Sequence, residues 1–197
     1  MKLRRALSVS AATAALLPMA MAAAPASHAA PAEELPKCSE LDTGQYHHTL
    51  VGRSFGIPES ITLGTHWTTY TATLTNASAK ELKSFELSAK LGSHVYNEGE
   101  RDLSPYGDLQ YWDTSQRAWK TLRQADGKAR GTIPGPKTLK PRESVHVQLR
   151  FRVSKDLPLD HAYDAFTGLT GSFADRYRDT DCTADVDQVG GFYPRKG

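Results

Sequence analysis

Residues 144–153, Ser-Val-His-Val-Gln-Leu-Arg-Phe-Arg-Val, constrain the fold more than any other stretch of the chain. Val145, Val147, Leu149, Phe151 and Val153 alternate with His146, Gln148, Arg150 and Arg152. Successive side chains of a strand point to opposite faces, so one face is apolar and the other solvated. A slip of one residue would drive two arginines into the core, which fixes the facing.

The same period of two recurs along the chain. From His66 to Asn76, Tyr70, Ala72 and Leu74 share one face and Thr69, Thr71, Thr73 and Thr75 the other, with Asn76 closing the strand. Leu82 to Leu91 alternates likewise, and Leu109–Trp112 and Ala118–Leu122 flank the turn residues Asp113-Thr114-Ser115-Gln116, a hairpin signature. Tyr46–Val51 is the expected first strand and Tyr163–Phe173 the last, with Gly168 and Gly171 weakening it or marking a bulge. The Gly-, Pro- and Lys-rich stretch 124–138 reads as a long loop, and Arg142 after Pro141 argues for a type I turn, since a type II turn favours glycine there. About seven short alternating strands, and no helical period outside the N-terminal segment, predict an all-β fold: an antiparallel two-sheet sandwich.

The first residues carry Lys2, Arg4 and Arg5, then an alanine-rich apolar run, then a small-residue end at Ser27 and Ala29. These are the three parts of a cleaved signal peptide, and they predict a secreted, extracellular protein with no membrane attachment after cleavage. The expected organisation is signal peptide 1–29, extended lead-in 30–45, sandwich 46–175 and an acidic, polar tail 176–197. Of 24 Lys+Arg and 22 Asp+Glu, the signal removes three bases and no acid, leaving 21 against 22. A near-neutral domain lacks the global field that holds nucleic acid, which excludes it as an expected partner. In an exported chain the two cysteines, Cys38 and Cys182, are expected to form a disulfide joining lead-in to tail.

Three segments resemble the immunoglobulin-like modules of bacterial exported proteins. Thr73-Leu74-Thr75-Asn76-Ala77-Ser78 is similar to a strand-and-turn of that class. The hairpin with Tyr111, Trp112 and Trp119 and the turn Leu139-Lys140-Pro141-Arg142-Glu143-Ser144 before a long alternating strand are the other two. The resemblance implies an immunoglobulin-like sandwich serving as a spacer, adhesion surface or accessory domain, with no assigned activity.

Residues that could carry chemistry are few. Gly52-Arg53-Ser54-Phe55-Gly56 matches the G-x-S-x-G string, but Ile57-Pro58 stands where the helix of a nucleophile elbow would start, so it reads as a glycine-containing loop. No catalytic residue and no enzyme activity is expected. Adjacent His47 and His48 would point to opposite faces, and His146 falls on a solvated face. Asp179, Asp181, Asp185 and Asp187 form an acidic cluster that could hold calcium, though a solvated tail accounts for it, and no cofactor is expected.

The aromatic hairpin is the best candidate contact surface: Tyr106, Tyr111, Trp112 and Trp119, with Trp112 expected to be the exposed ring, on the face opposite Leu109 and Tyr111. The expected function is a secreted, non-catalytic interaction or structural module whose partner is an extracellular protein or a cell-wall polysaccharide. The alternatives are a carbohydrate-binding protein using hairpin 106–122 and an inhibitor of an extracellular enzyme.

Overall fold

The computed structural model describes residues 35–41, 49–64, 66–96 and 101–197. The expected signal peptide, most of the lead-in, and Tyr46, His47 and His48 lie outside them. Eleven strands and one short helix, α1 (Cys38–Leu41), make up the described residues. Five strands form one sheet in the order β1 (Leu50–Phe55), β3 (Thr68–Asn76), β9 (Ser144–Val153), β5 (Gly107–Asp113), β6 (Ala118–Leu122). The other sheet runs β2 (Ser60–Thr62), β11 (Thr180–Arg195), β10 (Asp164–Tyr177), β4 (Leu82–His94), β7 (Arg130–Ile133), with β8 (Thr138–Leu139) added beside β4. The sheets pack face to face as a sandwich.

The alternation read from the sequence decides what lies between them. Tyr70, Ala72 and Leu74 from β3 and Val147, Leu149, Phe151 and Val153 from β9 are buried against Phe85, Leu87 and Leu91 of β4 and Leu169 and Phe173 of β10. Each buried side chain of this size contributes about 1.5–3 kcal/mol. Tyr70 carries its one polar atom into this core, where its hydroxyl lies 2.8 Å from Thr167 Oγ1. Thr167 in turn donates to the Lys90 carbonyl at 3.2 Å, so Tyr70 is the donor in the first bond. Leaving that hydroxyl unpaired would cost about 1–3 kcal/mol.

Three expectations change. Residues 176–197 are not a polar tail: β11 pairs with β10 from Thr180↔Tyr177 to Phe192↔Ala165. Cys182, Ala184 and Phe192 are buried inward while Asp181, Asp185 and Asp187 face outward, so the acids mask a half-buried strand. The stretch 124–138 contains β7 and the start of β8 rather than one long loop. The first described strand is Leu50–Phe55, so the G-x-S-x-G string lies mostly inside β1, the edge strand beside β3. With β2, these additions raise the expected seven strands to eleven, and β2 pairs parallel with β11 where an antiparallel sandwich was expected.

The glycines of β10 mark close approach. A Cβ at Gly168 would fall 2.0 Å from the Gln188 carbonyl, and one at Gly171 2.6 Å from Leu50 Cδ1. The pairing of β10 with β4 also shifts between Ser172 and Ala174, one bulge past Gly171.

The Lys140–Glu143 turn corrects a further expectation. Glu143 N–H donates to the Lys140 carbonyl at 3.0 Å, with Pro141 second and Arg142 third at φ +64°. That is the type II arrangement, with arginine in the left-handed region that glycine enters without cost. The turn is held from behind, because Arg142 N–H also donates to the Asn76 carbonyl at 2.8 Å.

Cys38 and Cys182 form the expected disulfide, with Cα atoms 5.1 Å apart. It fastens α1 to β11, and Thr183 N–H donates to the Pro36 carbonyl beside it. Among the described residues no helix is long and apolar enough to cross a membrane.

Candidate functional site

The outer face of the five-stranded sheet is built by the residues that alternate with the core. β1 offers Val51, Arg53 and Phe55, and β3 offers Thr69, Thr71, Thr73 and Thr75. β9 offers Ser144, His146, Gln148, Arg150 and Arg152, β5 offers Asp108, Gln110 and Trp112, and β6 offers Trp119 and Thr121. Registry aligns them in rows across the strands: Phe55 beside Thr71 and Gln148, Thr69 beside Arg150 and Gln110, Trp112 beside Trp119.

All three tryptophans of the chain gather here, half-buried, although large rings ordinarily fill a core. Trp67, just before β3, has the Arg150 guanidinium 4.4 Å and the Arg152 guanidinium 4.7 Å from its ring centroid. Arg150 also lies 4.3 Å from the Trp119 centroid, and Trp119 meets Trp112 edge-to-face at 5.4 Å. Cation and ring thus alternate across the sheet, Arg152–Trp67–Arg150–Trp119, ending on Trp112. Each such contact is worth about 0.5–1 kcal/mol at an exposed site.

Hydrogen bonds hold the ladder in register. Arg150 Nε donates to Gln110 Oε1 at 2.8 Å, and Gln110 Nε2 to Thr121 Oγ1 at 3.0 Å. Arg152 Nε donates to Asp108 Oδ2 and Arg123 Nη2 to Asp108 Oδ1, each at 2.8 Å. Burial alone would raise the Asp108 pKa, but the hydrogen bonds and charges of Arg152 and Arg123 outweigh it and hold the carboxyl below its ordinary value. The Arg150 pKa is lowered, first by desolvation and then by its like-charged neighbour Arg152.

At one end of the face the sheet opens. β9 pairs with β3 as far as Ser144, but with β5 only as far as Leu149↔Tyr111. Beyond that pair the β5–β6 hairpin leaves β9, and a cleft of about 730 Å³ lies at the departure. Trp112, His146 and Gln148 line its outer side, and Tyr111, Val147 and Ile133 its apolar floor. The hairpin tip is fixed by Asp113, whose Oδ1 accepts from Ser115 N–H at 2.9 Å and Gln116 N–H at 3.1 Å. His146 Nδ1 lies 3.0 Å from Thr73 Oγ1 across the strands.

The structure separates the four aromatic candidates. Trp112 and Trp119 stand together on the outer face, but Trp112 is half-buried rather than freely exposed, because it leans on Trp119. Tyr111 faces inward and Tyr106, in a 3-10 turn (Ser104–Tyr106), packs against the core. Sequence reasoning missed Trp67, Arg150 and Arg152 as partners of the hairpin. The alternation of β9 did place both arginines outward, but Trp67 lies 83 positions before Arg150 and only tertiary pairing joins them.

The acidic residues of β11 are spread along its outer face. Asp181 pairs with Arg176 at 2.7 Å, Asp185 with Lys37 at 2.7 Å, and Asp187 with Lys90 and Thr170. Asp179 sits in the turn between β10 and β11. Among the described residues no three carboxylate, histidine or cysteine groups stand close enough together to hold a metal ion. Ser54 of the G-x-S-x-G string lies in β1 with its hydroxyl buried, and strand β2 rather than a helix follows.

Fold and face together define a two-sheet, all-β sandwich with an aromatic and cationic outer surface. No protein-family model matches the chain, and no curated protein is similar to it in sequence. Among solved structures it is similar to AvmM, which catalyzes macrocyclization in alchivemycin A biosynthesis. The TM-score is 0.52 at 16% identity, over 76% of this chain and 90% of that one. The human F-spondin reeler domain is more distant, at TM-score 0.39 and 17% identity over 75% of this chain and 89% of that one. So is BcpA, the major pilin subunit of Bacillus cereus, at 0.39 and 14% over 76% and 41%. The first of these likenesses shows a shared fold.

Proposed function

We propose that this protein is an exported, non-catalytic binding module of immunoglobulin-like type. Its binding surface is the outer face of the five-stranded sheet together with the cleft at the hairpin tip. One observation carries the reading: all three tryptophans lie on the solvent side of one sheet, Trp67 and Trp119 under arginine guanidinium groups and Trp112 against Trp119, while leucine, phenylalanine and tyrosine fill the core. Rigid, half-exposed aromatic and arginine side chains are what interaction surfaces are enriched in. The Cys38–Cys182 disulfide supports an oxidising destination.

AvmM catalyzes a macrocyclization, so fold alone does not separate binding from catalysis. What supports binding here is the make-up of the surface. Its groups are stacked and hydrogen-bonded to one another, and His146 with the Thr73 hydroxyl forms an exposed pair that no third group orients among the described residues. The cleft favours a carbohydrate over a flat protein surface, because it sets Trp112 beside the Gln148 amide and the Thr71 hydroxyl in a concave site.

Retention of the exported protein on chitin, cellulose and isolated cell-wall glycan tests this, with Trp112→Ala and Trp119→Ala beside the wild type. Retention that falls roughly tenfold in the folded variants supports the reading. Equal retention of wild type and both variants would show that the face is not the binding surface.

A further inference from the structure

Charge is distributed unequally between the two outer faces. On the six-stranded sheet, Asp181, Asp185, Asp187 and Glu86 are matched one for one by Arg176, Lys37, Lys90 and Lys137. On the five-stranded sheet, Arg53, Arg123, Arg150 and Arg152 face a single carboxylate, Asp108. Asp108 is already shared between Arg123 and Arg152. Among the described residues no hydrogen bond or ion pair reaches the η-nitrogens of Arg150 or Arg152, or the guanidinium of Arg53. Arg150 and Arg152 are moreover held against the same ring, Trp67, so two like charges stay close, with Asp108 paired to Arg152 and only the neutral Gln110 on Arg150.

Such an arrangement is unfavourable alone and is relieved by a bound anion, for which a fixed guanidinium offers paired N–H donors. Resting on the reading of this face as the binding surface, we infer that its ligand is an acidic polysaccharide. Its carboxylate or sulfate groups are taken by Arg150, Arg152 and Arg53, and its hydroxyls by the polar rows between them. Thr69, Thr71 and Gln148 supply those rows, and no side-chain partner occupies them among the described residues. A single-stranded nucleic acid fits less well, because it needs free ring faces for its bases. Here guanidinium groups already lie over Trp67 and Trp119.

The test measures binding of the exported protein to polygalacturonate (carboxylate), heparin (sulfate), soluble cellulose and chitin oligomers (neutral), and single-stranded DNA, at low and high salt. The expected result is binding to one or both acidic glycans, weakened steeply by salt, and roughly tenfold weaker in Arg150→Gln and Arg152→Gln. Arg53→Glu serves as the second variant: the Arg53 side chain is exposed and has no partner among the described residues, so its replacement is expected to leave the fold intact and also to weaken binding. Circular dichroism checks folding in each case.

Tighter binding to the neutral glycans, or binding indifferent to salt and to all three substitutions, overturns the acidic ligand and leaves the binding-module reading standing. Tighter binding to DNA than to either acidic glycan overturns it in favour of nucleic acid. No binding of folded protein to any of these polymers also overturns it, while the face itself is still judged by the tryptophan substitutions above.

Discussion

The guanidinium of Arg150 lies 4.3 Å from the ring centroid of Trp119 and 4.4 Å from that of Trp67, between an indole of β6 and one that just precedes β3. Arg150 also donates to Gln110, so a single side chain ties β9 to the approach of β3 and to both arms of the β5–β6 hairpin. Arg150→Ala is therefore expected to destabilise the protein by about 1–2 kcal/mol in urea unfolding. Arg150→Lys recovers only part of this, since an ammonium neither lies flat between rings nor reaches Gln110 with the same geometry. A change in tryptophan fluorescence accompanies both.

Asn76 is buried at the end of β3 and uses both ends of its amide. Its Nδ2 donates to the Lys80 carbonyl at 2.7 Å and the Leu139 carbonyl at 2.9 Å, while its Oδ1 accepts from Ser78 N–H at 3.0 Å. Asn76→Ala is expected to cost about 2–4 kcal/mol, because the Leu139 and Lys80 carbonyls lose the Asn76 donor, leaving Lys80 only the Ser78 hydroxyl, and Ser78 N–H loses its acceptor. Asn76→Asp costs more near neutral pH, since it sets a carboxylate against those same carbonyls. The urea midpoints of the two variants check the order.

Arg142 at φ +64° occupies a position that costs a side-chain-bearing residue about 1 kcal/mol. Arg142→Gly is expected to stabilise the fold by about 0.5–1 kcal/mol, raising Tm by roughly 1–4 °C. A lowered Tm would show that the arginine makes an offsetting contribution.

Burial pushes the Tyr70 hydroxyl well above its ordinary pKa, against a smaller opposing effect of its bond to Thr167. The neutral form is the one favoured by folding, so its stabilisation is complete below the unfolded pKa of about 10 and is lost as pH rises above it. Stability is expected to fall by up to about 1.4 kcal/mol per pH unit in that range. Tyr70→Phe, less stable at neutral pH by about 1 kcal/mol, should show a shallower alkaline decline. Equal slopes for both proteins would remove Tyr70 as the cause.

The strands legible in the sequence are those whose inward residues are large. β3, β4, β9 and the hairpin present Tyr70, Leu74, Phe85, Leu149 and Phe151 at a period of two. β11 stayed hidden because its inward residues include Cys182 and Ala184, too small to stand out between Asp181, Asp185 and Asp187, and because Gly190-Gly191 reads as a turn. β7 and β8 are short and sit among Gly131, Pro134, Gly135 and Pro136. The pairing of Trp112 with Trp119 follows from the hairpin register. The insertion of Arg150 between Trp119 and Trp67 does not, because it depends on which strands become neighbours.

The binding surface proposed for this protein is its tryptophan–arginine face. The three indole N–H resonances of Trp67, Trp112 and Trp119 report on that face directly, in a nitrogen–proton correlation spectrum of the folded protein titrated with polygalacturonate or heparin. Progressive shifts of these indole signals are expected, with the backbone amides of β10 and β11 unmoved. Saturable binding that moves the β10–β11 amides and leaves all three indole signals in place would contradict this assignment of the binding surface.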